Sequence, residues 1–484
     1  MSGSRLKSGK GPRVKVSVRR LSLVVLIVAV VLAYFVNRAN RRRDAIAALR
    51  SSGGRVSDLS AGVSPGVVPV GRSRARAWIA RQLEGMVPMA VSADLSGATG
   101  LGDDQLAPLE ALGRVAQLSL SGTAIRGPGL VHLQGLDHLT TLDLSNTQVG
   151  DAGLAHLSRL ERLDDLDLSN TEVSDAGLAH LGGLKQLRRL VLSRTSLTDA
   201  GLAHLKGLTQ LATLDLSFTR VKGPGLAHLE ACRQLRDLDL ARTPIDDAGL
   251  APLSGHAALS SLNLEQTQIG DAGLTHLARI TQMRSLNLAR TRVGANGLSP
   301  LRGLVSLTHL DLQRTATDDA GLLSLAPLIR MEELDLDGTR VGNAGLASLK
   351  GMVTLKTLRL DGTRVSDEGM AHLVGCGGLS TLTLRKSQVG DLGVGSIVKL
   401  TALTTLDLRG SRISNAGLSL LAGLPSLRFL DVGSTQVDGE GVARFEKLRP
   451  PTMDLFHSFE GWESRRGPPS GPPEGRSVPP RPRK

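Results

Sequence analysis

Apolar and polar positions along this chain repeat every 24 residues. From Leu118 the sequence reads Leu-Ser-Leu-Ser-Gly-Thr, and from Leu142 Leu-Asp-Leu-Ser-Asn-Thr. The closing threonine recurs from Thr123 and Thr147 through Thr363, and the column continues as Ser387, Ser411 and Thr435. Fourteen units thus follow one another with no insertion. Each has two halves. The Leu-x-Leu alternation has period two and predicts a short strand with its leucines on one side. A turn follows, with Asp or Asn expected as helix N-cap at Asp151, Asp175, Asp199, Asp247, Asp271, Asp319, Asn343, Asp367, Asp391 and Asn415. Beyond it, apolar residues such as Leu154, Leu157 and Leu160 fall at helical spacing.

One such unit cannot bury its own leucines, whereas stacked units bury them in a continuous core and align their strands in a parallel sheet. About fifteen strands at ~4.8 Å predict an arc of roughly 70 Å, with strands on the inner wall and helices on the outer. One glycine recurs in every unit, from Gly129 and Gly153 to Gly417 and Gly441. Glycine costs a helix about 1 kcal/mol relative to alanine. Its retention therefore predicts a close backbone approach between helix and strand layer. The threonine hydroxyls are expected to pair with backbone groups of the turn and of the adjacent unit.

The ends of such a stack need closing. Residues 75–84, with Trp78, Ile79 and Leu83, read as an amphipathic helix, and residues 91–112 as a degenerate repeat. Together, 75–112 form the expected N-terminal cap, and 113–448 the repeats. After residue 448 the register slips, and Met453, Asp454, Leu455 and Phe456 suit a last edge strand. The rest of 449–484 is a Pro- and Arg-rich tail expected to be disordered.

Residues 21–36 are apolar except Ser22 and the hydroxyl of Tyr34, with Arg19 and Arg20 before them and Arg38, Arg41, Arg42 and Arg43 after. This run reads as a single transmembrane signal anchor between a basic cytoplasmic tail (1–20) and a basic linker (37–74). Sixteen residues is slightly below the usual ~17–25, and snorkelling arginines extend the reach. A cleaved signal peptide needs small residues before the cut, and residues 33–38 offer no good pair. A peripheral segment is the third reading. Seven cations precede the run and five follow closely, which by the positive-inside rule predicts an inner-membrane protein with exported repeats.

Charge changes the picture only once it is divided by region. The net charge is +13. Residues 1–50 carry 12 Lys or Arg against one Asp, while residues 89–448 carry 34 against 38. The basicity belongs to anchor and tails, so no nucleic-acid partner is predicted for the repeats. Aromatic residues are 2% of the chain, so the core must be aliphatic. Cys232 and Cys376 stand six repeats apart, where most units place a core leucine. They are expected to be buried thiols too distant for a disulfide.

These residues resemble the leucine-rich-repeat superfamily. The [Val/Ile/Leu]-x-Asp-x-Gly-Leu element resembles its cysteine-containing subclass, with Thr in the column that the subclass fills with Cys or Asn. The order of basic N-terminus, apolar helix, Arg41–Arg43, Gly53-Gly54-Arg55-Val56, and the Trp78 segment running into repeats resembles bacterial membrane-anchored, internalin-like proteins. The resemblance implies an α/β fold, a curved right-handed leucine-rich-repeat solenoid of about 14 regular repeats, and it names no ligand.

No phosphate loop, nucleophile elbow, kinase signature or zinc-type cysteine pair occurs. The chain is therefore read as a non-enzyme with no cofactor and no metal. A histidine column, His132, His156, His180, His204 and His228, then His276 and His372, reads as duplicated surface. Mid-strand positions on the concave side carry Asp143, Asp167, Asp215, Asp239, Asn263, Asn287, Asp311, Asp335, Asp407 and Asp431. Arginines just past the strands offset these acids. The partner-binding surface is read as Asp215, Asp239, Asp311, Asp335, Phe218, Arg242, Arg290, Arg314, Arg340 and Arg364. The expected function is protein–protein interaction through this face, in a chain tethered to the bilayer by residues 21–36. The alternative is a self-associating envelope spacer with no specific ligand.

Overall fold

The computed structural model describes residues 18–58, 91–449 and 453–457. The expected helix at 75–84 and the tail beyond residue 457 lie outside them. Contacts divide the chain into two compact units. The first runs to Val221 and includes His228–Leu235, and the second holds Lys222–Ala227 and everything from Arg236.

The first unit opens with one long helix, α1, over Val18–Ser51. Gly53 stops it at φ 93°, in the left-handed region where glycine pays no Cβ penalty. Gly54 lies so close to Leu95 and the Leu49 carbonyl that no side chain fits there. A strand, Arg55–Asp58, then pairs antiparallel with Val91–Asp94. Ala45 and Leu49 on the last turns of α1 are buried, where the helix packs against Asp103–Leu112. Residues 37–58, read from sequence as linker, thus continue α1 and add a strand that closes this end of the stack.

Among the described residues no helix is long and apolar enough to cross a membrane. The transmembrane assignment of residues 21–36 is therefore not supported; the run lies inside the 34-residue helix α1. Val25, Leu26, Ile27, Val30 and Tyr34 on this helix are all exposed.

From Val91 the first unit is a parallel ladder. Leu118 stands beside Leu142, Leu142 beside Leu166, Leu166 beside Leu190, and Leu190 beside Leu214. In the second unit the same column runs from Leu238 beside Leu262 to Leu406 beside Leu430. The last pair, Leu430 with Leu455, shows the register slip at the edge strand Asp454–Phe456. That strand is held by Phe456, whose ring lies 4.8 Å from that of Phe429. Below it, Val442 and Phe445 bury the apolar side of the terminal helix Gly439–Leu448. Within each unit the column leucines before Leu455 are buried, each contributing roughly 1.5–3 kcal/mol. Cys232 and Cys376 are buried free thiols in leucine positions.

The helical half of a repeat is shorter than an amphipathic helix. A four-residue α-turn such as Asp151–Leu154 passes into a 3-10 turn, Ala155–Leu157. Where proline enters, as in Pro128–Leu133, the segment is 3-10 throughout. Most of the Asp and Asn residues expected as N-caps are the first helical residues instead; Asp247 does stand at the cap position, and Asp199 lies before the 3-10 turn Gly201–Leu205. The cap position belongs to Gly150, Ser174 or Gly390, in extended backbone. Asp151, Asp175, Asp247, Asp271 and Asp319 cap the following repeat, as Asp367 and Asp391 also do. Asp367 Oδ1 accepts from Gly390 N at 2.6 Å and from Gly393 N at 2.9 Å. Asp391 Oδ1 accepts from Ser414 N at 2.8 Å and from Gly417 N at 3.0 Å. An orphan helix-terminal N–H and a neighbour's carboxylate are thus satisfied together.

The recurrent glycine fits this arrangement. A Cβ on Gly273 would lie 2.6 Å from Asp247 Oδ1 and 3.2 Å from its Cα. Gly393 stands likewise against Asp367. The close approach is to the preceding repeat's helix start, and not to the strand layer.

The candidate interaction face

On the open side of the sheet most strands show the two residues flanking their buried leucine, as in Thr141–Asp143, while Val191, Asp335, Asp407 and Asp431 are themselves buried. The mid-strand aspartates are local turn-formers. Asp215 Oδ1 accepts from Ser217 N at 2.8 Å, Asp239 Oδ1 from Ala241 N at 2.8 Å, and Asp311 Oδ1 from Gln313 N at 2.8 Å. Asp335 Oδ1 accepts from Asp337 N at 2.9 Å, and Asn263 and Asn287 do the same two residues on. An Asx turn thus gives the strand exit its hydrogen bond. Where Arg359 and Thr383 interrupt the column, the preceding repeat substitutes. Asp337 Oδ1 accepts from Asp361 N at 2.7 Å, and Asp361 Oδ1 from Arg385 N at 2.8 Å.

The predicted arginines divide into two columns. Arg242, Arg290 and Arg314 stand immediately before the threonine, at φ 57°, 58° and 54°. Phe218 shares that position in the first unit at φ 58°, with the Arg194 guanidinium 4.0 Å above its ring. Gly338, Gly362 and Gly410 fill it elsewhere at φ 65–66°. Arg340 and Arg364 come one residue after the threonine, and their N–H groups donate to the carbonyls of Thr317 and Val341. The threonine between the columns is buried, its hydroxyl donating to its own repeat's leucine carbonyl, as from Thr339 to Leu336 at 2.7 Å. The adjacent repeat takes no part in that bond. Arg242 faces Glu265 at 3.6 Å. Arg290, Arg314, Arg340 and Arg364 are exposed and make no ion pair among the described residues.

The second unit also carries an ion-pair ladder through three arginines that sequence reading passed over. Arg359 Nη1 lies 3.3 Å from Asp335. Arg385 Nε lies 3.3 Å from Asp361 and 2.7 Å from Asp407. Arg409 reaches Asp407 at 2.6 Å and Asp431 at 3.2 Å. The signal was present in the sequence: arginine or threonine breaks the aspartate column at 359 and 383, and arginine stands two residues after it at 385 and 409.

Burial sets the electrostatics. It raises the carboxyls of Asp335, Asp361 and Asp431 above the usual range. Burial and the neighbouring Asp335 push Asp311 up to about 6, and Asp337, between Asp335 and Asp361, goes up to about 7. Asp407 is held below the usual range despite its burial, because Arg409 and Arg385 donate to it. Cys232 and Cys376 are pushed up to about 11 by burial, so both thiols stay protonated at neutral pH. Among the described residues no group of three or more His, Cys, Asp or Glu is placed to hold a metal. In the histidine column, His132 is bound to Glu110 at 2.6 Å.

Leucine-rich-repeat family models match residues 377–437 and, in a second model, 136–158 and 231–254. No curated protein matches the chain. Solved structures share the fold. An internalin from Listeria monocytogenes, 23% identical, superposes with a TM-score of 0.57 over 68% of this chain and 88% of its own. A leucine-rich-repeat protein from Leptospira interrogans, 16% identical, gives 0.56 over 72% and 91%. A TDR receptor, 18% identical, gives 0.50 over 79% and 74%. Such repeats present extended surfaces for protein–protein contact. With its 24-residue register, its leucine ladder and these matches, the chain carries leucine-rich repeats and resembles internalin-like proteins in fold.

Proposed function

We propose that the chain is a non-enzymatic binding scaffold whose open sheet face receives a protein partner. The observation that carries this reading is the set of exposed guanidinia at Arg290, Arg314, Arg340 and Arg364, which no described carboxylate engages. Arginine is favoured in interfaces because its planar fork binds carboxylates bidentately and its stem covers apolar surface. The wider partner surface is the one named from sequence, adding Asp215, Asp239, Asp311, Asp335, Phe218 and Arg242.

The same reading places the chain at the inner membrane with its repeats on the exported side. The exposed apolar residues of α1 contact the bilayer, and Arg38, Arg41 and Arg43 reach the headgroups to make up the missing length. Alkaline extraction tests the tether: the chain stays with the membrane pellet, and removal of residues 1–44 releases it. Protease added to cells with only the outer envelope opened digests the repeats. Protection until the inner membrane is breached would place them in the cytoplasm.

For the face itself, Arg290→Glu, Arg314→Glu and Arg340→Glu together abolish one cross-linked partner in the native cells while the melting temperature holds. An unchanged cross-link pattern favours the second reading, a self-associating spacer. That reading draws on Val305, Ile329 and Val353, exposed side chains that recur at 24-residue spacing.

A further inference from the structure

The repeats of the second unit display a guanidinium site in two states. Asp407 and Asp431 are neighbours in register, as are Asp311 and Asp335 four repeats earlier. Between the first pair lies Arg409, with Nη2 2.6 Å from Asp407 Oδ2 and Nε 3.2 Å from Asp431 Oδ2. Arg409 comes two residues after Asp407, and the residue in that place after Asp311 is Gln313. Asp311 makes no ion pair among the described residues, and Asp337 makes none either. Asp335 has one cation, Arg359 at 3.3 Å, whose side chain is 52% exposed. Buried Asp335 and half-buried Asp311 and Asp337 thus share one half-exposed guanidinium, with Glu265 and Asp361 adding further negative charge. Burial and mutual repulsion raise Asp311 and Asp337, as expected where a compensating cation is missing.

We propose that Asp311, Asp335 and Asp337 form a docking site on the open sheet face for an arginine side chain of a protein partner. The inference rests on the binding-scaffold reading above and adds the partner's chemistry. The site is complementary in charge, and Asp311 and Asp335 hold the same strand register as Asp407 and Asp431, which hold a forked guanidinium at Arg409. An ammonium lacks that fork.

The test is fluorescence anisotropy of the full chain with fluorescein-labelled Gly-Arg-Gly-Arg-Gly amide at low ionic strength, beside the same peptide with citrulline for arginine. The arginine peptide is expected to bind at least tenfold more tightly than the citrulline peptide. Gln313→Arg, which puts the chain's own guanidinium in the site, is expected to weaken arginine-peptide binding at least tenfold and to raise the melting temperature. Asp335→Asn, which keeps the acceptor for Asp337 N, is expected to weaken it as well, and Asp143→Asn in the first unit to leave it unchanged. Equal binding of the two peptides, or undiminished binding to Gln313→Arg, overturns the proposal. So does calcium binding that is lost in Asp335→Asn without any peptide binding, which makes this a cation site. Self-association abolished by Gln313→Arg, again without peptide binding, assigns the face to a second copy. If the peptide fails while the triple arginine reversal still removes the cross-linked partner, only this inference falls. If the peptide binds and the reversal changes nothing, the arginine reading of the face falls instead.

Discussion

An arginine at φ near 57° is held where an L-residue loses about 1–2 kcal/mol relative to its usual conformation. Arg290 and Arg314 sit there because the turn demands it: the N–H of Arg290 donates to Gln313 O and that of Arg314 to Asp337 O, both at 2.7 Å. Glycine fills the same position at 338, 362 and 410. Arg290→Gly should therefore raise stability by about 1 kcal/mol in urea unfolding while weakening partner binding. A lower midpoint would show that the side chain contributes more to the fold than the turn costs. The repeat glycine is the opposite case. Gly273→Ala sets a methyl 2.6 Å from Asp247 Oδ1 and 3.2 Å from Asp247 Cα, and backbone atoms cannot yield as a side-chain tip does. A loss of about 1–3 kcal/mol in the same assay is expected.

At the scale of the element, each helix start depends on the repeat before it. Asp367→Ala leaves the N–H groups of Gly390 and Gly393 without their acceptor, at a cost of about 1–2 kcal/mol. Amide exchange should quicken at Gly390 and Gly393, one repeat away from the substitution. Exchange that quickens only at 367–370 would contradict capping across repeats. The strand ladder has its own pH signature. Asp311 and Asp337 titrate in the fold at about 6 and about 7, above the ordinary 3.8. Their protonated forms favour the fold, so their contribution is full below about pH 4 and is lost as pH rises through 6 to 7. Asp337→Asn keeps the acceptor for Asp361 N. It should raise the melting temperature at pH 8 and leave it unchanged at pH 4. Asp407, held low by two guanidinia, contributes in the other direction, and its share is lost only as pH falls below the usual carboxylate range.

At the scale of the molecule, what sequence disclosed is what period and polarity can carry. The leucine column at 24 residues set the strand register, and the shift at Leu455 was visible as a break in it. Most aspartate caps were misplaced by one position, Asp247 excepted, and their bonds by one repeat. Their partners stand 23 to 26 residues away, and local spacing rules look only three or four residues ahead. The closing of the first unit by 37–58 was hidden because a basic, repeat-free stretch looks like linker until Ala45 and Leu49 are seen buried. The arginine columns were legible as residues but not as geometry, since a buried threonine separates Arg314 from the positions of Arg340 and Arg364. The ladder through Arg359, Arg385 and Arg409 was overlooked because its arginines stand outside the two columns read from the sequence, and their partners lie up to 24 residues away.

A protein partner on the open sheet face of the second unit can be trapped by site-specific photo-cross-linking in the native cells, with the photoreactive residue placed in turn at Gln313 on the open face and at Ser324 on the helical side. A discrete cross-linked species is expected from position 313 and not from position 324. A species from position 324 alone, or none from either, would contradict a partner on this face.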